Sequence, residues 1–91
     1  MIKIADRRSE IEVIADILRL GEARKTEIIY GANINHSQLK KYLKLLLHLD
    51  LIHETMGNNQ VIMYNVTPKG LRLLKNIDTV LDIFTETRIL H

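Results

Sequence analysis

Apolar positions along the chain form helical stripes interrupted by two short β-rich runs. Ile11, Ile14, Ala15 and Leu18 recur at helical spacing, and Val13 and Ile17 widen that stripe. Ser9, followed three residues later by Glu12, makes a capping box that satisfies the first free amides, and Gly21 supplies the stop. A second, shorter helix is predicted over 24–30, with Ile28 and Ile29 inward and Gly31 ending it. Asn35 and Gln38 repeat the capping box, and Ile34 is placed to pack on Leu39 as a hydrophobic staple. The helix they open reaches about Leu49. At about 100° per residue, Leu39, Tyr42, Leu43, Leu46 and Leu49 share one arc of it, while Ser37, Lys40, Lys41, Lys44 and His48 fill the opposite arc.

Residues 51–56 and 61–66 are the β-rich runs. Gly57, Asn58, Asn59 and Gln60 between them are hairpin chemistry, because Gly and Asn tolerate positive φ. Thr67 as N-cap and Pro68 in the first turn then open a last helix that runs to near Arg88. The predicted fold class is mainly α with a small β-hairpin. Its order of helix, helix, tight turn, helix and hairpin is that of a winged helix-turn-helix with a long C-terminal helix.

That last helix needs a partner. Twenty-one residues span about 30 Å, as long as a small domain. Leu71 and Leu74 are placed to pack on the first helix, and Ile77, Val80, Leu81 and Phe84 carry the apolar stripe beyond it. A heptad assignment puts Leu74, Ile77, Leu81 and Phe84 at a and d, with Arg88 at the next a. In a parallel pair Arg88 faces its own copy. In an antiparallel pair centred on Thr79, Leu74 meets Phe84 of the second copy, Ile77 meets Leu81, and Arg88 falls opposite Gly70, where there is room. Sterics and charge favour the antiparallel pair; the other arrangement is a helix folded back over its own domain. No linker separates the parts, so residues 1–70 are assigned as the winged-helix unit and 71–91 as a dimerisation helix continuous with it.

Ninety-one residues are enough for one core, and 46% apolar with 26% charged residues is the composition of a folded domain. The absence of cysteine excludes disulfides, thiolate metal sites and a cysteine nucleophile. No run has the length of a signal peptide core or of a membrane helix, so a cytoplasmic location without membrane contact is expected. The net charge of +2 hides an asymmetry. Residues 1–30 balance; residues 31–75 hold Lys40, Lys41, Lys44, Lys69, Arg72 and Lys75 against only Asp50 and Glu54. Residues 76–91 carry Arg88 against Asp78, Asp82 and Glu86. A positive middle points to a polyanion partner there and a different role for the last segment.

Two blocks carry a family resemblance. One runs from Lys25-Thr26-Glu27-Ile28-Ile29-Tyr30 through Gly31-Ala32-Asn33-Ile34-Asn35-His36-Ser37-Gln38-Leu39 to Tyr42-Leu43; the other is Leu51-Ile52 with Tyr64-Asn65-Val66-Thr67-Pro68-Lys69-Gly70. They resemble the small archaeal winged-helix DNA-binding proteins of Sulfolobus type, a family of regulators and chromatin proteins, from about Ser9 onward. The chain departs from that pattern at Asp50, where a turn glycine is usual, and at a wing tip without Arg or Lys, where the short neutral amides of Asn58 and Asn59 are the candidates for DNA contact. The resemblance implies a third helix in the major groove of duplex DNA and a homodimer built by antiparallel pairing of the C-terminal helices, associated with the nucleoid.

The residues support the first implication independently, since Lys40, Lys41 and Lys44 on one clean face are what phosphate neutralisation needs. Ser37, Gln38, Lys41 and His48 are within reach of base edges or phosphates; Arg24, Lys25 and Lys69 are candidates for the flanking backbone, and Arg7 and Arg8 for an arm whose field Asp6 and Glu10 dilute. His36, His48, His53 and His91 lack ligand spacing, and His36-Ser37 near Asp50 lacks a nucleophile elbow, so neither a metal, a cofactor nor catalysis is expected. Tyr30, Tyr42, Tyr64 and Phe84 are assigned to core or seam, which leaves no stacking platform for single strands. The expected function is double-stranded DNA binding, as a transcriptional regulator or a small chromatin protein. The rival is a winged helix that binds protein with the same fold, for which the lysine face would be dispensable.

Overall fold

A computed structural model describes residues 9–89, with side chains described through Thr85. In chain order these form α1 (Glu10–Arg19), β1 (Glu22–Ala23), α2 (Lys25–Ala32), α3 (His36–His48), β2 (Ile52–Met56), β3 (Ile62–Val66) and α4 (Pro68–Ile89). The sheet is antiparallel in the order β1-β3-β2, with Ile52 opposite Val66, Met56 opposite Ile62, and Ala23 opposite Tyr64.

Local chemistry fixes each start and stop. The Ser9 hydroxyl accepts the Glu12 N–H at 3.2 Å, which starts α1, and Gly21 with φ of 78° ends it. The Gly21 carbonyl then accepts the Val66 N–H at 2.8 Å and leads into β1. This strand lies outside the predicted elements because two residues carry no periodicity; it exists by pairing with β3. The Glu27 carboxylate accepts the Arg24 N–H at 2.8 Å and closes the first turn of α2. This helix ends later than the sequence predicts. Gly31 lies inside it, and Asn33 makes the left-handed turn at φ of 54°, with the Ile34 N–H donated to the Ile29 carbonyl at 3.1 Å. The two extra residues bring Ala32 to complete burial. Asn35 and Gln38 form the reciprocal cap of α3, at 2.8 and 3.0 Å.

One hydrophobic cluster joins all the elements, with Ile17 and Leu18 of α1, Ile28 of α2, Leu39 and Leu46 of α3, and Tyr64 of β3 among its members. Four expected core positions are exposed instead, among them Ile11 in the first turn of α1. Leu49 sits at the C-cap, past the last turn of α3; Leu71 lies about 120° around α4 from the buried Ile77; and Tyr30 on α2 is 85% exposed. At the wing tip Gly57 keeps φ at −86°, and Asn59 and Gln60 take the left-handed region at 59° and 60°.

The end of α3, the base of the wing and the start of α4 meet at one buried junction. Asp50 adopts φ of 59°, so that its N–H reaches the Leu47 carbonyl at 3.1 Å and the Leu51 N–H reaches the Leu46 carbonyl at 2.9 Å, the Schellman pattern. The Thr67 hydroxyl donates to the Asp50 carbonyl at 2.7 Å and accepts the Gly70 N–H at 3.0 Å. The Thr67 N–H is donated to the Leu51 carbonyl at 3.0 Å. A Cβ on Gly70 would collide with the Leu51 carbonyl oxygen and come within 2.7 Å of Val66 Cγ2. Gly70→Ala is therefore expected to destabilise the fold by about 1–3 kcal/mol through overpacking against backbone. Urea denaturation measures it, and an unchanged midpoint would refute the requirement for glycine.

Candidate nucleic-acid interface

The helix-turn-helix consists of α2 and α3, joined through Asn33 and the cap at Asn35. Leu39, Tyr42, Leu43 and Leu46 commit one side of α3 to the core. Ser37, Lys40, Lys41, Lys44 and His48 are all exposed on the other. Among the described residues no acidic side chain pairs with Lys40, Lys44 or Lys25.

The face divides into two flanks. On one, Lys25 from the first turn of α2 joins His36 and Lys40 around a depression of about 430 Å³ whose floor is Leu39, Leu43 and Tyr64. Burial pushes the Tyr64 phenol pKa up, and the nearby Glu54 carboxylate adds to the rise. Three groups able to carry positive charge thus surround one recess opened by two helix starts. On the other flank Lys41, Lys44 and His48 surround Leu45. There Lys41 Nζ lies 3.0 Å from a Glu10 carboxylate oxygen in the first turn of α1. It also sits 5.7 Å from the centre of the Tyr42 ring. The hydrogen bond to Glu10, and then its charge, raise the Lys41 pKa.

Three other predicted contact residues, Gln38, Arg24 and Lys69, are engaged within the fold. The Gln38 amide oxygen accepts the Asn35 N–H, and the Arg24 guanidinium lies 3.6 Å from Glu27. Lys69 Nζ donates to the Leu49 carbonyl at 2.8 Å, at the C-terminal end of α3. Asn58 and Asn59 stand exposed at a wing whose residues 52–66 contain neither Lys nor Arg. Arg7 and Arg8, and the side chain of Arg88, lie outside the described part. Glu10 escaped the sequence reading as a contributor to this face, since it is 31 positions from Lys41 and no local spacing links them.

The expected interface residues of the long helix differ in exposure. Leu73, Ile77, Val80 and Phe84 fall along one line of α4. Ile77 is 6% exposed inside the chain's own core, and Leu74 and Leu81 are partly buried against that core. Past that point the line turns outward, with Val80 and Phe84 about half exposed and Ile83 beside them. Ile77 packs in the chain's own core because α1 reaches that far along α4: Arg19 pairs with both Asp16 and Asp78. Among the described residues no helix is long and apolar enough to cross a membrane, and no three His, Asp or Glu side chains gather where they would hold a metal.

A family model described as winged helix-turn-helix matches residues 7–84. The uncharacterized protein MJ0290 of Methanocaldococcus jannaschii is 35% identical over 77 residues, covering 81% of this chain and 34% of that protein, so the chain spans about a third of that relative's length. The crystal structure of Sso10a-2, a DNA-binding protein from Sulfolobus solfataricus, matches with a TM-score of 0.81 and 29% identity over 91% of this chain and 88% of that one. The Staphylococcus aureus MepR–DNA complex matches with a TM-score of 0.74 and 15% identity over 94% and 65%, a likeness of fold.

The position of Lys69 separates a structural role from a binding one. Its ammonium meets a carbonyl at the negative end of the α3 dipole, a favourable but solvent-screened contact. Lys69→Ala should lower stability by about 0.3–1 kcal/mol. Thermal unfolding at two salt concentrations checks it, with the difference shrinking at high salt; a variant as stable as the parent at low salt would contradict the contact.

Proposed function

The chain belongs to the winged helix-turn-helix family, and from that premise we propose that it is a non-enzymatic regulator that binds double-stranded DNA as a homodimer, docking α3 in the major groove. The observation that carries this reading is the exposed lysine face of α3, with Lys40 and Lys44 unpaired among the described residues and Lys25 gathered beside Lys40. Thirteen residues make α3 about 20 Å long, and a helix of ordinary diameter fits the major groove, roughly 12 Å wide. Lys40, Lys44 and Lys25 meet phosphates, which gives affinity without sequence information. Ser37 and His48, with the free amide nitrogen of Gln38, are the groups placed to reach base edges, and Lys41 is placed to reach a phosphate. The DNA-binding description of Sso10a-2 and the DNA complex of MepR support the same assignment. The chain works in the cytoplasm on the nucleoid, at promoters or as a chromatin protein.

The homodimer in this reading forms through α4. Val80, Ile83 and Phe84 present apolar surface to solvent at the end of a 22-residue helix. A second α4 laid antiparallel covers them, while Leu74 and Leu81 stay shared with the protomer's own core.

Two experiments test these points. Lys40→Ala with Lys44→Ala should leave the fold intact and lower the slope of log K against log salt for duplex binding by about 1.8, or 0.9 per lost phosphate contact. An unchanged slope would place the binding surface elsewhere. Phe84→Asp should give a folded monomer in analytical ultracentrifugation, since a carboxylate cannot be buried in an apolar seam without a partner. Leu81→Asp is the poorer probe, because Leu81 also packs on the core. A Phe84→Asp variant that still sediments as a dimer would overturn the α4 interface.

A further inference from the structure

Of the three lysines on the outer side of α3, one is held differently from the others. Lys41 is in contact with Glu10, while Lys40 and Lys44 have no acidic partner among the described residues. The two partners are joined by the tertiary fold, since Glu10 opens α1 and Lys41 lies in the middle of α3. Both side chains are largely exposed, at 63% and 66%, so an approaching polyanion meets the pair as a pair.

We propose that Glu10 is an intramolecular competitor for the DNA phosphate at Lys41, a built-in acid that holds down the affinity of the recognition helix for any duplex. This rests on the DNA-binding reading above and adds to it a residue outside the helix-turn-helix. The carboxylate is anchored by its helix. The Ser9 and Glu12 cap fixes the first turn of α1, and Val13, Ile14 and Ile17 bury the helix in the core, so Glu10 cannot retreat with its backbone when DNA docks. A phosphate that takes Lys41 must displace the carboxylate and then sit beside a like charge. One that leaves the pair intact gains nothing from Lys41, because the pair is neutral to a distant phosphate. In either case the sequence-independent attraction of α3 comes from fewer charges than it displays. Contacts to base edges do not depend on that field, so the acid lowers nonspecific binding by a larger factor than specific binding.

The test uses the full chain and random-sequence duplex DNA titrated over a range of salt, comparing the parent, Glu10→Gln, Lys41→Ala and the double variant. Thermal unfolding establishes that each is folded. Glu10→Gln should tighten binding by about two- to fivefold at low salt, the range of an exposed charge pair, and steepen the salt slope by up to about 0.9. In the Lys41→Ala background Glu10→Gln should bring no comparable gain. Glu10→Gln without effect on affinity or slope would overturn the proposal, and so would an equal gain with and without Lys41, which would make Glu10 a diffuse repulsive charge. A parent chain that binds no duplex would overturn the DNA-binding reading itself. A binding parent with an indifferent Glu10 variant would overturn only the competition.

Discussion

The hydroxyl of Thr67 ties three directions of the fold into one point. It donates to the Asp50 carbonyl just past α3 and accepts the amide of Gly70 in the first turn of α4, while its own backbone amide is bonded to Leu51 at the base of the wing. Only a small residue at 70 lets α4 approach the Leu51 carbonyl closely enough for this set to close. Thr67 is buried, so each of these polar groups would be left unpaired at a cost if the junction opened. The exit angle of α3, the plane of the wing and the departure of the long helix are therefore set together.

From that junction the electrostatics follow. Because α3 turns Leu39, Leu43 and Leu46 inward, its lysines have only the outer side to occupy, and the start of α2 delivers Lys25 to the same side. The tertiary fold then edits what the sequence displays. Lys41 is offset by Glu10, Lys69 is used on the end of α3, and Arg24 lies against Glu27. A stripe of cations counted along the chain overstates the charge available to a partner, since neutral pairs contribute little beyond a Debye length of about 8–10 Å.

What the sequence made legible was governed by local rules. The caps at Ser9 and Asn35, the stop at Gly21 and the start at Thr67-Pro68 are contacts within a few residues, and each has the predicted partner in space. The end of α2 was misplaced because Gly31 and Asn33 are both competent terminators, and burial of Ala32 chooses the later one. Asp50, a departure from the glycine usual in related chains, performs the left-handed turn nonetheless, within the reach of Asp and Asn. β1 was invisible because two residues have no pattern of their own. For the site, the exposed face of α3 could be read from its wheel, whereas the commitments of Lys41 and Lys69 depend on contacts 31 and 20 positions away.

The sparseness of the free charge gives the long helix its meaning in the proposed function. With no Lys or Arg on the wing, each copy offers Lys25, Lys40 and Lys44 as the unpaired cations around α3 among the described residues, and three phosphate contacts give only a weak, salt-sensitive hold. Joining two such faces through α4 makes the second docking step intramolecular, at an effective concentration set by a rigid connection, so that two weak grips become one useful one. In that reading the coupling of Arg19 to Asp78 serves the same end, because it fixes α4 to α1 in each copy and with it the distance between the two α3 helices. Half-site spacing on the DNA is then decided by where the seam of Val80, Ile83 and Phe84 closes. In the proposed function the apolar end of α4 and the lysine face of α3 therefore act as parts of one binding device.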